Sequence, residues 1–380
     1  MKVILSVEPV RFPLTGIGRY TQELGRSLAK SPDISELRLF AGRRFLDAIP
    51  TPSSSAGGGY GLKRAIQKSH LATEAYRLLM PLLKRHALKG CGDYLYHGPN
   101  FFIPPFPGRS VATFHDLSPF TWADSHPGER VRFMQKEMHK SLTRASGLIT
   151  DSEYTRREVA EYFAWPLDRI HAVSLACSSD FRPRVASELS EFLRRHGLQS
   201  GGYSLYVGTI EPRKNIETLL DAYERLPLAL RRRWPLILTG YKGWRSEAIH
   251  GRIEDAQRAG WARYLGFVPG EDLPLLFAGA RLFAFPSLYE GFGLPVLEAL
   301  SSGVPVVCSN SSSLPEVAGE AALMSEPLDV ETLTANLQRG LEDDAWRTLA
   351  IASGLRHAAT FSWERCARQT IEVYKKVVGS

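Results

Sequence analysis
The segment that most constrains this chain lies late in it, at residues 281–300. The apolar run Arg281 to Phe285 reads as a buried strand, and Pro286-Ser287-Leu288-Tyr289-Glu290-Gly291-Phe292-Gly293 follows it. Gly291 and Gly293 permit a tight loop. Pro295 suits the first turn of a helix, where its missing N–H costs nothing, and Val296-Leu297-Glu298-Ala299-Leu300 continues that helix. Strand, glycine loop and helix N-terminus in this order gather unpaired amides and the positive end of a helix dipole at one point, a ready anion site. Two carboxylates bracket the loop, Glu290 and Glu298. Carboxylates beside a phosphate would repel it, so these are placed to accept hydrogen bonds from hydroxyls on either side. An anion flanked by hydroxyls describes a nucleotide sugar: hexose, diphosphate, ribose.

Glu290 and Glu298, with Gly-Phe-Gly-Leu-Pro between them, resemble the Glu-x7-Glu signature of retaining glycosyltransferases of family 4. Four further segments occur in that family's order: Gly16-Ile17-Gly18-Arg19-Tyr20, His115-Asp116-Leu117 with Asp151-Ser152-Glu153-Tyr154-Thr155, Gly208 to Asn215, and Leu314-Pro315-Glu316-Val317. The resemblance spans nearly the whole chain. It implies an α/β protein of the GT-B fold, in which two Rossmann-like doubly wound domains face a central cleft.

The totals agree with such a protein. A chain of 380 residues is long enough for two domains with separate cores. Its 44% hydrophobic and 23% charged residues exclude a disordered chain. Met1-Lys2 runs directly into Val3-Ile4-Leu5, so no signal peptide is expected, and no apolar stretch reaches the roughly 20 residues of a spanning helix. The four cysteines, Cys91, Cys177, Cys308 and Cys366, lack metal or redox spacing, and a cytoplasmic location is the expectation. A net charge of +7 suits a phosphate-bearing partner, a nucleotide or an anionic membrane surface. No nucleic-acid motif stands out, and none is expected as a partner.

Along the chain, strand and helix patterns alternate, as in a doubly wound parallel sheet. Lys2 to Val7 reads as a strand and Arg19 to Lys30 as a helix, joined by a loop carrying Gly16-Ile17-Gly18. Thr21 stands where a dinucleotide fingerprint needs its third glycine, and Gly42-Arg43-Arg44 where it needs an acid, which argues against NAD. Residues 49–61 form a Pro-, Ser- and Gly-rich loop. Leu62 to Lys89 is a basic, mostly helical segment broken at Pro81, with seven Lys or Arg and one acid between 61 and 90. Two readings fit it: a surface helix packed on its own domain, or an interfacial element drawn to anionic lipid. The strands at 94–97 and 110–114 end in His97-Gly98-Pro99-Asn100 and His115-Asp116, and both clusters should face one crevice. A break at 177–184 separates a first domain, 1–177, from a second, 185–362. In the second, Leu205 to Gly208, Leu236 to Thr239, Tyr264 to Val268 and Val304 to Ser309 read as strands, and Asp343-Asp344 as part of a surface helix. The resemblance implies that the last helix, 363–380, crosses back to the first domain.

Glu211-Pro212-Arg213-Lys214-Asn215 places two cations where a strand gives way to a helix, a position disfavoured unless an anion sits there. Fixed cations of this kind stabilise charge on a departing diphosphate. Many relatives also carry an arginine directly after that strand's glycine; here the position is Thr209, which leaves Arg213 and Lys214 as the main cations. The resemblance implies that His115, Glu290, Arg213 and Lys214 serve the reaction. Glu298 would hold the ribose, Glu290 a sugar hydroxyl, the amides of Phe292, Gly293 and Leu294 the phosphates, and Gly16 to Gly18 would close over them. Thr209, Val268 and Gly291 complete the expected donor site. Tyr20, Asn100 and Asp116 are the expected acceptor contacts, with Asp116 and Asn100 also able to orient His115. No Asp-x-Asp pair occurs, so no metal and no cofactor are expected.

The activity implied is retaining hexosyl transfer from a nucleoside-diphosphate sugar, GDP-mannose favoured, to a glycan or lipid-linked acceptor in surface-polysaccharide assembly. The enzyme would then work at the inner face of the cytoplasmic membrane. A soluble-glucoside synthase of the same fold and a non-catalytic sugar-nucleotide-binding protein are the alternatives.

Overall fold
The computed structural model describes residues 1–51, 70–125 and 127–379. Most of the 49–61 loop, and residues 62–69 with Lys63, Arg64 and Lys68, lie outside the described residues. The first domain is built on a seven-stranded sheet: β1 (Lys2–Ser6), β2 (Glu36–Phe40), β3 (Phe45–Leu46), β4 (Leu95–Gly98), β5 (Ser110–Phe114), β6 (Gly147–Thr150) and β7 (Ile170–Ala172). Their spatial order is β3-β2-β1-β4-β5-β6-β7, with β3 antiparallel to β2 and the other pairings parallel. The second sheet comprises β8 (Ser204–Val207), β9 (Leu236–Thr239), β10 (Ala262–Tyr264), β11 (Leu282–Phe285), β12 (Val306–Ser309) and β13 (Ala322–Ser325), in the order β10-β9-β8-β11-β12-β13.

Alternation along the strands feeds two apolar layers. In β1, Val3 and Leu5 join a core running on into the second domain, whereas Ile4 points to the opposite face and packs with Phe40 and Tyr96. Burial on both faces is what helices covering a parallel sheet produce. Each strand order reverses once, between β1 and β4 and between β8 and β11. At such a switch point the neighbouring crossovers run to opposite sides, which leaves a crevice at the carboxyl ends of the strands.

Several expected elements shift. The first helix spans Gly16–Ala29, so Gly16 and Gly18 form its opening turn rather than a loop; Thr15 caps it by accepting from the Gly18 amide. Pro81 does not break its segment, because helix His70–Ala87 passes through it. Leu, Met, Lys and Arg on either side are strong helix formers and sustain the helix across the missing N–H. The strand expected at 264–268 lies at Ala262–Tyr264, and Asp343 is an N-cap between two helices, accepting from the Trp346 amide. The final helix, Trp363–Gly379, lies against the first sheet, where Tyr374 meets His97 at 2.6 Å.

Candidate active site
The second-domain switch point is assembled from the loops after β8 and β11. Gly293 adopts φ 108°, and a Cβ there would sit 2.6 Å from Leu314, so this position requires glycine. It ends the loop in a conformation that starts helix Leu294–Ser301, leaving the amides of Phe292, Gly293 and Leu294 without acceptors among the described residues. Beside them, the turn Pro212–Lys214 buries both of its cations. The Lys214 ammonium donates to Glu290 Oε1 at 2.5 Å, and Ser287 donates to the same oxygen at 2.7 Å. Arg213 donates to the Tyr289 carbonyl and to Glu211, lies 3.5 Å from Glu290 Oε2, and has a buried Nε with no partner. Burial pushes the Glu290 carboxyl up, but Lys214 and Arg213 outweigh it and hold it below the usual carboxylate range. Lys214 is lowered, by burial first and then by Arg213. Glu298 has one cation nearby, Arg19 of the first domain at 3.7 Å, and burial raises its pKa to about 7.

Thr209 and Gly291 lie in the same pair of loops, Thr209 two residues after β8. Two placements bear on the expected donor set. Val268 buries its side chain in the core, which leaves only its backbone to a ligand. The Gly18 amide is taken by Thr15, whereas the Gly16 and Ile17 amides have no acceptor among the described residues. Next to Val268, Phe267 stacks on Tyr241, with ring centroids 4.4 Å apart and planes at 19°, and both rings are about half exposed. Periodicity did not single out this pair, because each residue follows the end of its strand.

At the first-domain switch point a cavity of about 690 Å³ opens between the ends of β1 and β4. Pro99 and Asn100 form one wall, Ile17 of the first helix another, Phe133 of helix Gly128–Arg144 a third, and Met80 and Lys84 a fourth. Asn100, expected as an acceptor contact, thus lines this cavity. Asp116 sits beside Gly291, within electrostatic reach of Arg213, and accepts from the Ser118 amide. Tyr20 is not an acceptor contact in this structure: its hydroxyl is bonded to Thr113 and its buried ring meets His115 edge-on at 5.2 Å. The reason lies in its helix face, which turns inward at Tyr20, Leu24 and Leu28. His115 reaches the cleft with both ring nitrogens engaged, Nδ1 on Asp151 at 2.7 Å and Nε2 on the Pro99 carbonyl at 2.8 Å.

The two halves meet through the 287–293 loop. Ser152, which caps helix Glu153–Phe163, donates to the Gly291 carbonyl at 2.8 Å, and Thr155 donates at 3.1 Å. The Tyr289 hydroxyl accepts from the Leu117 amide and donates to Glu158. The Glu316 carboxylate accepts from the Glu153 and Tyr154 amides, across the domain boundary. These contacts explain the Leu-Pro-Glu-Val and Asp-Ser-Glu-Tyr-Thr motifs, which the sequence marked without showing that they touch.

Two Rossmann-like domains with facing switch points, a helix N-terminus flanked by two cations on one side and a cavity on the other, define a glycosyltransferase of GT-B architecture. Residues 192–355 match the family described as glycosyl transferases group 1. The chain is 50% identical over 379 residues to the O-antigen chain mannosyltransferase B of Escherichia coli, covering 99% of this chain and all of that one. It belongs to this glycosyltransferase family. In solved structures the fold is matched by sucrose-phosphate synthase from Thermosynechococcus elongatus, with a TM-score of 0.72 at 19% identity over 100% of both chains. Anabaena HepE in complex with UDP-glucose gives a TM-score of 0.72 at 15% identity, again over 100% of both.

Proposed function
We propose that this enzyme transfers mannose from GDP-mannose, with retention of configuration and without a metal ion, to a glycan or lipid-linked acceptor in surface-polysaccharide assembly. The observation that carries this reading is the unpaired Arg213 Nε and the amides of Phe292, Gly293 and Leu294, which have no acceptor among the described residues, in the loops that also carry Lys214. The mannosyl choice is supported by the named activity of the Escherichia coli relative.

In the reaction, the bond from the anomeric carbon to the diphosphate oxygen breaks and the acceptor oxygen bonds to that carbon on the same face. The acceptor's proton passes to the departing diphosphate oxygen. Arg213, Lys214 and the helix amides stabilise the charge developing on the diphosphate, and they are positioned before the reaction begins. Glu290 is committed to Lys214 and Ser287, so it orients a sugar hydroxyl rather than attacking carbon, unlike the nucleophile of a two-carboxylate glycosidase. Glu298 holds the ribose, and the base rests on the Tyr241–Phe267 stack.

Helix His70–Ala87 supports a membrane-borne acceptor. Met80 and Lys84 line the cavity, while Leu79, Leu82 and Leu83 are 56%, 60% and 42% exposed, with Arg85 and Lys89 in solvent. Lys84 is not free for lipid, because it pairs with Glu8 at 2.5 Å. The enzyme works peripherally, at the inner face of the cytoplasmic membrane. A thermal-shift screen of nucleotide sugars tests the donor. GDP and GDP-mannose should stabilise the protein by about 2.7 kcal/mol at a hundred times Kd. Stabilisation by UDP-glucose alone would reverse the assignment.

A further inference from the structure
Asp151 has no direct part in the transfer, yet it lies between the two halves of the site. Its Oδ2 meets His115 Nδ1 at 2.7 Å, its Oδ1 is buried without a partner, and His115 Nε2 meets the Pro99 carbonyl at 2.8 Å. A carbonyl oxygen only accepts, and so does an ionised carboxylate. A neutral imidazole carries one N–H and cannot serve both. If that proton sat on Nδ1, the Nε2 lone pair would face the lone pairs of Pro99 O. If it sat on Nε2, Asp151 would itself have to be protonated. In every arrangement that satisfies both contacts the pair holds two protons, one on Nε2 and one between Nδ1 and Asp151.

The surroundings keep that second proton in place. Burial opposes the charge on His115, but the Asp151 carboxylate and the Pro99 carbonyl outweigh it and raise the ring's pKa above its ordinary value, with Asp116 adding to the effect. From β4, His97 is neutral and bonded to Thr113 and Tyr374. From the first helix, Tyr20 lies edge-on to the ring. From the last helix, Cys366 faces Asp151 with its thiol pushed up by burial. The neighbouring residue of the chain, Ser152, holds the Gly291 carbonyl of the donor loop at 2.8 Å. Adjacent residues thus hold the acceptor wall, through His115 and Pro99, and the donor loop.

We propose that Asp151 is a positioning residue: it keeps His115 protonated on both ring nitrogens, so that the ring clamps the Pro99–Asn100 wall in register with the donor loop and does not act as a base. This rests on the reading of the cavity beside Pro99 as the acceptor site. Isotope-labelled histidine NMR tests the protonation without any substrate. Wild type should show both His115 nitrogens protonated at about pH 7.5, and Asp151→Leu a neutral ring, since an apolar side chain neither accepts from Nδ1–H nor stabilises a buried cation. With GDP-mannose and an octyl mannoside, Asp151→Leu should raise the acceptor KM about tenfold at about pH 7.5, as losses of orienting partners do. GDP affinity should be unchanged, and Asp151→Glu, which keeps a carboxylate for Nδ1–H, should restore most of the acceptor KM. A neutral His115 in the wild type overturns the proposal on its own, whatever Asp151→Leu does. A doubly protonated wild-type ring with an acceptor KM unmoved in Asp151→Leu overturns it through the acceptor reading, and a KM deficit that Asp151→Glu does not relieve overturns it in favour of a packing role.

Discussion
Two buried cations and three buried carboxylates set the electrostatics of the candidate donor site at the scale of single residues. Arg213 and Lys214 are already balanced by Glu211 and Glu290, so the cost of burying them is met inside the protein and their geometry is fixed before a diphosphate arrives. Replacing either by Ala should lower turnover roughly 10²–10³-fold and weaken binding of free GDP, measured by steady-state kinetics and calorimetry. Near wild-type turnover in both variants would remove them from the mechanism. Glu298 behaves differently, because its folded pKa of about 7 is above the usual 4.5. Folding takes up a proton there across that window, so stability falls as pH rises through it, and the full cost of the buried charge is present above about pH 7. Glu298→Gln should therefore melt higher than the wild type at about pH 8.5, by on the order of 2–3 kcal/mol, with the difference vanishing near pH 4.5. An equal effect at both pH values would contradict a buried, raised carboxyl.

Single elements divide sharply in how legible they are in sequence. The strand, loop and helix at 281–300 can be read from residue type alone, because glycine, proline and a short apolar run each restrict the backbone locally. So can the cation turn, where charge at a helix start is a local anomaly. What cannot be read is set by contacts distant in the chain. Tyr20 has the look of a cleft residue until its helix face is known, and Asp151 draws its meaning from His115, thirty-six residues earlier in the chain. Val268 follows a strand yet turns inward. The helix through Pro81 is a third case, since propensity on both sides carried it past a residue that usually ends helices. Its exposed leucines give a prediction at this scale: cosedimentation with anionic vesicles at low salt, lost when Leu79, Leu82 and Leu83 are changed to Ser and weakened by salt. Equal sedimentation of variant and wild type would leave this helix as a cavity wall only.

Across the whole molecule, the cleft closes on one loop. A Cβ at Gly291 would lie 1.8 Å from the His115 carbonyl oxygen, so any side chain there must drive the domains apart. Gly291→Ala should keep a more open form at all nucleotide concentrations, whereas GDP shifts the wild type toward the closed one; small-angle scattering reads both. An unchanged scattering profile in the variant would show that another contact governs closure. The final helix has a different consequence, one that concerns synthesis rather than catalysis. Residues 363–379 supply Tyr374 to His97 inside the first domain, and Val377 fits against Gly147 of β6. Domains usually fold in the order in which they leave the ribosome. Here the second domain has all its strands translated while the first still lacks part of its core, so the amino-terminal half waits for the carboxyl terminus. A stop codon shortly before Trp363 would leave the second domain's sheet complete and the first domain unfinished.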